Sequence, residues 1–516
     1  MNRRKFLRTG SLLSLPLIAH NPLSARLSRQ LRTLVNPELD RVLVLVRLNG
    51  GNDGLNTLIP IDQYANLMAN RANVMIPENQ LLGIEDTLAF HPSAMGFQQL
   101  YLDGQLGAVQ SVAYPDQNRS HFRSTDIWTS ASDAEEVVNT GWLGRHFQDD
   151  YPAFPDGFPN EDCPHPFAVA IGSQVSQTCQ GLGTNFSMAI SDPFNLQALA
   201  GGDDTPLPND AYGDELAFLR TSIAQANAYG QVVQSTAEQG VSMVDYPDTR
   251  FASDLQNVAY LISGGLQSSV YVVSLGGFDT HANQVVAGNT TTGEHAELLD
   301  TLTSALAAFQ ADLNAQGLEE RVLTMTFSEF GRRIRANESN GTDHGTAAPL
   351  FLMGPCVQAG ILGDNPEIPE EAEIPEGVAM QYDFRDIYGT VFEDWFQLEP
   401  EEVVSVLGHD YVHLPILAGC QAPNSVAENP VQNLQAKLWP NPTSGLARIS
   451  FTLENDGVVS LSVSNAEGRL VVQGFERSLN VGEHEFPLNL SGLPTGPYFV
   501  RLQVGRSVAA RRILKR

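Results

Sequence analysis

The stretch Val42-Leu43-Val44-Leu45-Val46-Arg47-Leu48 runs directly into Asn49-Gly50-Gly51-Asn52-Asp53-Gly54, and that junction decides the fold. A short, nearly continuous apolar run suits a strand covered on both faces, as in a parallel sheet. Two later runs end in the same way. Val270 to Leu275 leads into Gly276-Gly277-Phe278-Asp279-Thr280-His281, and Val322 to Phe327 leads into Ser328-Glu329-Phe330-Gly331-Arg332, with Thr342-Asp343-His344-Gly345 soon after. In open α/β sheets the ligand crevice lies beyond the carboxyl ends of the strands. Carboxylates and imidazoles from distant parts of the chain are therefore expected to converge there, and they are the oxygen and nitrogen ligands of a hydrolytic metal centre. The glycines let the backbone turn sharply and approach a substrate closely.

Working outward, strands and helices alternate. Residues 93–103 read as a short helix and Gly107 to Ala113 as a strand, followed by Asn118-Arg119-Ser120-His121-Phe122 and a helix from Ser120 to Ser130. A loop entering a helix after a strand presents backbone N–H groups to an anion. Helices are expected around 213–239, 252–265 and 294–316, the last with Leu298, Leu299, Leu302, Leu306, Phe309 and Leu313 at helical spacing. Residues 150–215, rich in Pro, Gly, Asn and Asp, are expected to be an irregular excursion. The alternation predicts an α/β domain, a largely parallel sheet sandwiched by helices.

At 516 residues the chain exceeds one ordinary core, so more than one domain is expected. A net charge of −29 argues against a nucleic-acid partner. No internal stretch reaches the roughly 18 apolar residues of a membrane span. Arg3-Arg4-Lys5-Phe6-Leu7-Arg8 before the apolar segment Leu12 to Ala19 reads as an export signal over residues 1–25, twin-arginine-like, and residues 26–40 as a tether. Cys163 and Cys179 are close enough in sequence for a disulfide loop, while Cys356 and Cys420 read as buried thiols.

Near residue 421 the texture changes. Residues 421–437 are polar and aperiodic, a linker. Residues 438–516 alternate with period two between turns, which predicts a small antiparallel β-sandwich. Trp439-Pro440-Asn441-Pro442, the turn Asn465 to Arg469, Leu493-Pro494-Thr495-Gly496-Pro497-Tyr498 and the basic end resemble the type A sorting domain of the type IX secretion system of Bacteroidetes-type bacteria. The resemblance implies the type IX machinery as partner and passage through the periplasm to the cell surface or exterior.

Residues 26–420 form the main domain. Its strings Leu48 to Asn56, Asn118 to Phe122, Gly141-Trp142-Leu143-Gly144-Arg145, Gly277 to His281, Ser328 to Arg332 and Thr342 to Gly345 resemble the exported domain-of-unknown-function family 1501, a branch of the alkaline phosphatase and sulfatase superfamily. The resemblance implies an alkaline phosphatase-like fold and a metal-dependent hydrolase of sulfate or phosphate esters. It implies two nearby divalent ions (zinc, calcium, magnesium or manganese) and an anionic ester or sulfated glycan as substrate. Carried across residue by residue, it places Asp53 and Glu329 at one metal, and Asp279, His281 and His344 at the other. Alternatively, Asp343 and His344 form the Asp-His pair of one site, and His409 or His413 completes the other. In relatives the nucleophile precedes the histidine that matches His121, where this chain has Gln117. Ser120 is the hydroxyl of that loop and is the candidate nucleophile. Arg119, Arg123 and Arg332 are candidates to bind the anionic oxygens through forked donors.

Each residue also has a plainer reading. Asp53 in a Gly-Asn-Asp-Gly context suits turn chemistry. His91 and His121 suit capping or orientation, His295 a surface position among acids, and Gly141 to Gly144 packing. The rival functional reading is a non-catalytic surface protein that keeps the fold and binds a glycan or a partner. Gln117 at the nucleophile's place supports it.

Overall fold

The computed structural model describes residues 41–200, 206–418, 437–453, 457–465, 470–504 and 507–516. The expected export signal, the tether and nearly all of the expected linker lie outside them. The chain divides into two compact units, Met1–Ala422 and Pro423–Arg516.

The large unit is built on a mostly parallel sheet. Its strands are β1 (Val42–Asn49), β2 (Leu106–Ala113), β3 (Ala168–Ile171), β4 (Ser187–Ile190), β5 (Val270–Gly276), β6 (Val322–Ser328), β7 (Ala348–Met353), β8 (Gly360–Leu362) and β9 (Tyr382–Asp383). Their order is β8-β2-β7-β6-β1-β5-β3-β4, with β9 also on β2. Strand β1 is central and parallel to both neighbours, pairing Asn49 with Gly276 and Leu48 with Ser328. Its end is thus level with the ends of β5 and β6. Strand β7 runs antiparallel to β2 and β6.

Alternation along β1 sorts its side chains to two faces. Leu43 and Leu45 join a core with Ile127, Trp128, Trp142 and Tyr388. Val42, Val44, Val46 and Leu48 join another with Phe97, Leu255, Leu306 and Phe309. Each fully buried side chain of this kind contributes roughly 1.5–3 kcal/mol. Both faces are covered by helices, which explains the unbroken apolar run. On the first face lie α3 (His121–Ser130), α4 (Trp142–Asp150) and α8 (Phe384–Thr390). On the second lie α2 (Met95–Leu102), α6 (Arg250–Ser263) and α7 (Glu294–Gln316). Helices α1 (Tyr64–Arg71) and α5 (Ala211–Gln239) complete those used below. Trp142 stacks on Tyr388 with ring centroids 4.2 Å apart, so the Gly-Trp-Leu-Gly string is packing, as its plainer reading held.

Three expectations are corrected. The stretch 150–215 contains sheet strands, β3 and β4, because short Ala-Val-Ala-Ile and Ser-Met-Ala-Ile segments complete the sheet edge beside β5. Cys163 and Cys179 are free thiols. Cys179 is wholly buried in the core, which pushes its thiol up to about 12, and Cys163 lies half-buried in a loop. Cys356 is disulfide-bonded rather than a thiol.

The second unit pairs its strands antiparallel throughout. One sheet has β10 (Lys437–Trp439), β11 (Leu446–Leu453) and β14 (Gly482–Asn489). The other has β12 (Gly457–Asn465), β13 (Leu470–Leu479), β15 (Gly496–Val504) and β16 (Ser507–Lys515). Ile449, Phe451, Val459, Val463, Val500 and Leu502 fill the core between them. Among the described residues no helix is long and apolar enough to cross a membrane.

Candidate metal centre

Just beyond the end of β1 the backbone at Gly50 has no room for a side chain. Gly50 has φ +122°, and a Cβ there would lie 2.2 Å from the Asp279 nitrogen. That close approach brings the β1 and β5 loops together. The Gly50 amide donates to Glu329 Oε1 at 2.8 Å, joining the β6 end. Arg332 is buried and gathers the three loops, donating to the carbonyls of Gly50, Gly51, Phe278 and Thr342 and to Asp279 Oδ1 at 2.8 Å.

Asp279 is the centre of an imidazole cluster. His344 Nε2 lies 2.9 Å and His281 Nε2 3.2 Å from its Oδ1, and His121 Nε2 3.3 Å from its Oδ2. The two ring nitrogens of His281 and His344 are 2.9 Å apart. The ligand atoms of His121, Asp279 and His344 all fall within 4.8 Å of one another. Each ring is fixed from behind. His121 Nδ1 faces Glu329 Oε1 at 2.9 Å, His281 Nδ1 faces Asp343 Oδ1 at 2.8 Å, and His344 Nδ1 faces the Arg119 carbonyl at 2.8 Å.

These partners assign the tautomers. Carboxylate and carbonyl oxygens only accept, so each Nδ1 carries a proton, and each Nε2 faces Asp279, where it donates a second proton or offers its lone pair to a cation that takes the proton's place. Burial opposes ionisation of Asp279, but hydrogen bonds from His344 and Arg332, with the Arg332 charge, outweigh it and hold the carboxyl at about 2. Burial lowers His344 despite its bond to Asp279. The His281 and His344 Nε2 atoms, 2.9 Å apart beside a carboxylate, need a proton or a cation between them. The separations of 2.9–3.3 Å are those of neighbouring ligands around a small cation with bonds of about 2.0–2.1 Å. His121, Asp279 and His344 therefore form a group that could hold a metal ion, with His281 beside it. Glu329 and Asp343 orient two of the rings in the carboxylate–histidine manner of metal sites.

Other sequence candidates lie elsewhere. Asp53 is 1% exposed and accepts from Arg71 at the end of α1, in a short ion pair, and from Gln284 Nε2 at 2.6 Å. The plainer reading of His295 as a surface residue is corrected. It is wholly buried against Asn52 Oδ1 at 3.2 Å, with the His91 ring 6.0 Å away. The reason is that the first turn of α7 tucks under the Asn52-Asp53 loop. Burial above all lowers His295 to about 4 and His91 to about 3, so both are neutral.

Ser120 is exposed and caps α3 beside His121, its amide on Asn118 Oδ1. The nearby buried hydroxyl is Ser124, in the first turn of α3, donating to the Glu329 carbonyl and accepting from Tyr114. Gln117 Nε2 donates to Ser124 Oγ and to the Glu329 carbonyl at 3.1 Å. Arg119 donates to the Pro375 carbonyl and Arg123 to carbonyls of residues 133–136. His413 faces Asp394 and His409 lies near Asp133.

Residues 40–395 match the family described as "Protein of unknown function (DUF1501)". The chain belongs to this family. Residues 437–516 match the secretion system C-terminal sorting domain, which directs export to the cell surface or extracellular space. No curated protein matches the chain. Similar solved structures include a Bacteroides thetaiotaomicron protein of glycosaminoglycan metabolism (7% identity, TM-score 0.34, covering 85% of this chain and 89% of that one). A Pseudoalteromonas sulfatase covers 92% and 88% at 11% identity and TM-score 0.31. A Silicibacter pomeroyi phosphonate monoester hydrolase covers 92% and 89% at 10% identity and TM-score 0.32. At these values the likeness is one of general fold, and no site assignment rests on it.

Proposed function

We propose that the family 1501 domain is an exported metal-dependent hydrolase of sulfate or phosphate esters. The observation that carries the reading is the convergence of the Nε2 atoms of His121, His281 and His344 on ionised Asp279. A donor set of imidazoles suits zinc or a neighbouring transition metal, whereas calcium and magnesium take oxygen ligands. One ion accounts for the cluster, because Asp53 already has its counter-charge in Arg71. When bound, such a cation supplies Lewis acidity toward an ester oxygen and makes water acidic enough to attack.

The chain's own groups have distinct tasks. Glu329, Asp343 and the Arg119 carbonyl accept from each Nδ1 and keep the three imidazoles oriented. Arg332 fixes Asp279 and the loop carbonyls rather than reaching substrate. Ser120 stands exposed beside His121 as the candidate nucleophile.

A second reading, binding without catalysis, is favoured by Gln117, whose amide is spent on Ser124 and the Glu329 carbonyl. Turnover of aryl sulfate and aryl phosphate by the zinc- or manganese-loaded full chain separates the two. Hydrolysis of either ester, lost in His344→Ala, is expected. Metal bound with no turnover of either ester favours the binding reading.

A further inference from the structure

Beside the imidazole cluster lies a cavity of about 570 Å³ that neither the metal ligands nor the loop candidates account for. It opens at the carboxyl ends of β1, β3 and β5, the ligand-binding edge of an open α/β sheet. Its volume is in the range of small-molecule sites, roughly 300–1,000 Å³. His121 forms part of its wall, so a molecule held there lies alongside the proposed metal position.

The wall has one guanidinium, Arg47. A charged residue in a strand otherwise apolar from Val42 to Leu48 needs a reason, because burying its charge is costly. Odd positions of β1 face the side of α3, which is why Arg47 reaches the cavity. Its Nη2 donates to Thr125 Oγ1 at 2.7 Å, the only hydrogen bond it makes among the described residues. No described carboxylate lies within 4 Å of it, including Asp126, the one acid on the wall. A guanidinium has five donors in a fork shaped for a carboxylate, sulfate or phosphate, and most are uncommitted here. Burial lowers the Arg47 pKa, with Glu329 acting against that. In a chain carrying 59 acidic and 30 basic residues, leaving this cation unpaired marks it as reserved for a ligand.

Two neighbours define the rest of that ligand. Asn49 Oδ1 is buried without a protein partner and lines the same cavity, so it is free to accept from a hydroxyl. Phe122 is 87% exposed at the rim and offers an apolar ring face. Gln174 and Ser176 add neutral polar groups.

We propose that this cavity binds a sugar ring bearing an anionic substituent gripped by Arg47. The domain then selects esters of saccharides that carry a second negative group besides the one at the metal. This rests on the hydrolase reading for its consequence, but not for the binding itself.

The test is calorimetric titration of the full chain, kept metal-free with chelator, using glucose 6-sulfate and glucuronate, each compared with glucose. At least one anionic sugar is expected to bind about tenfold or more tighter than glucose. Arg47→Met should remove that difference and Arg47→Lys should retain part of it. Leu102→Ala, exposed and outside both the cavity wall and the metal cluster, should leave it unchanged. Thermal melts of the variants check folding, and the lysine variant keeps the charge should the methionine variant unfold. No preference of the wild-type chain for either anionic sugar overturns the proposal, as does an Arg47→Met variant that binds like wild type. Anionic-sugar binding in a chain that takes up no metal would sink the hydrolase reading and leave this one standing.

Discussion

Asp53 and Asp279 follow a Gly-Gly pair at the ends of adjacent strands, and in sequence they look interchangeable. The structure gives them opposite surroundings. Asp53 is sealed under its loop, its charge met by Arg71 and its oxygen by Gln284. The Asp279 side chain is 46% exposed and ringed by the imidazoles of His121, His281 and His344. One carboxylate has its cation built into the chain, whereas the other is the one proposed to receive a metal ion. Ligand chemistry therefore cannot be read from residue type and strand-end position alone; the counter-charge decides.

The comparison can be broken first at the Asp53 end. Arg71→Met should destabilise the domain by about 3–5 kcal/mol, because it strands a buried carboxylate. Changing both partners, Asp53→Asn with Arg71→Gln, should recover most of that loss. Urea unfolding of the single and double variants measures the difference. Equal stability of Arg71→Met and wild type would mean the pair is not the buried counter-charge described here.

A smaller effect is expected behind the metal ligands. Glu329→Gln keeps the shape but weakens the support of His121 Nδ1, and should lower zinc affinity by about 10–100-fold. Competition with a chromophoric chelator reads that change. Unaltered affinity would place Glu329 outside the metal's influence.

Acid probes the Asp53 side of the comparison without a substitution. His91 and His295 are lowered in the fold, to about 3 and about 4, against about 6.5 when unfolded. Their contribution is complete above pH 6.5. Between pH 6.5 and about 4 the unfolded chain binds protons that the folded one refuses. Stability in chelator should then fall by up to about 1.4 kcal/mol per pH unit for each histidine. A flat profile over that window would mean the two rings are not buried neutral.

Much of this was legible because the physics is local. The β1, β5 and β6 runs declare themselves as buried parallel strands, and the observed elements Val42–Asn49, Val270–Gly276 and Val322–Ser328 match the expected bounds within about a residue. Helix α7 announced itself by the spacing of its leucines. What was hidden depends on partners far away in sequence. Arg71 ends a polar helix with no motif, and only folding shows that it meets Asp53. His295 sits among acids in sequence yet is buried by the approach of α7 to the Asn52 loop. The short strands β3 and β4 carry small residues between turn formers, too little pattern to separate from a loop. Arg47 was visible as the lone charge inside an apolar strand, and that interruption was the available signal for the cavity beneath it.

Metal stoichiometry by elemental analysis tests the central claim most directly. After incubation with zinc and dialysis, the full chain should hold one ion. The ion should be lost in His344→Ala and kept in the paired Asp53→Asn, Arg71→Gln variant. Two ions per chain, or an ion kept in His344→Ala and lost in the paired variant, would contradict the account.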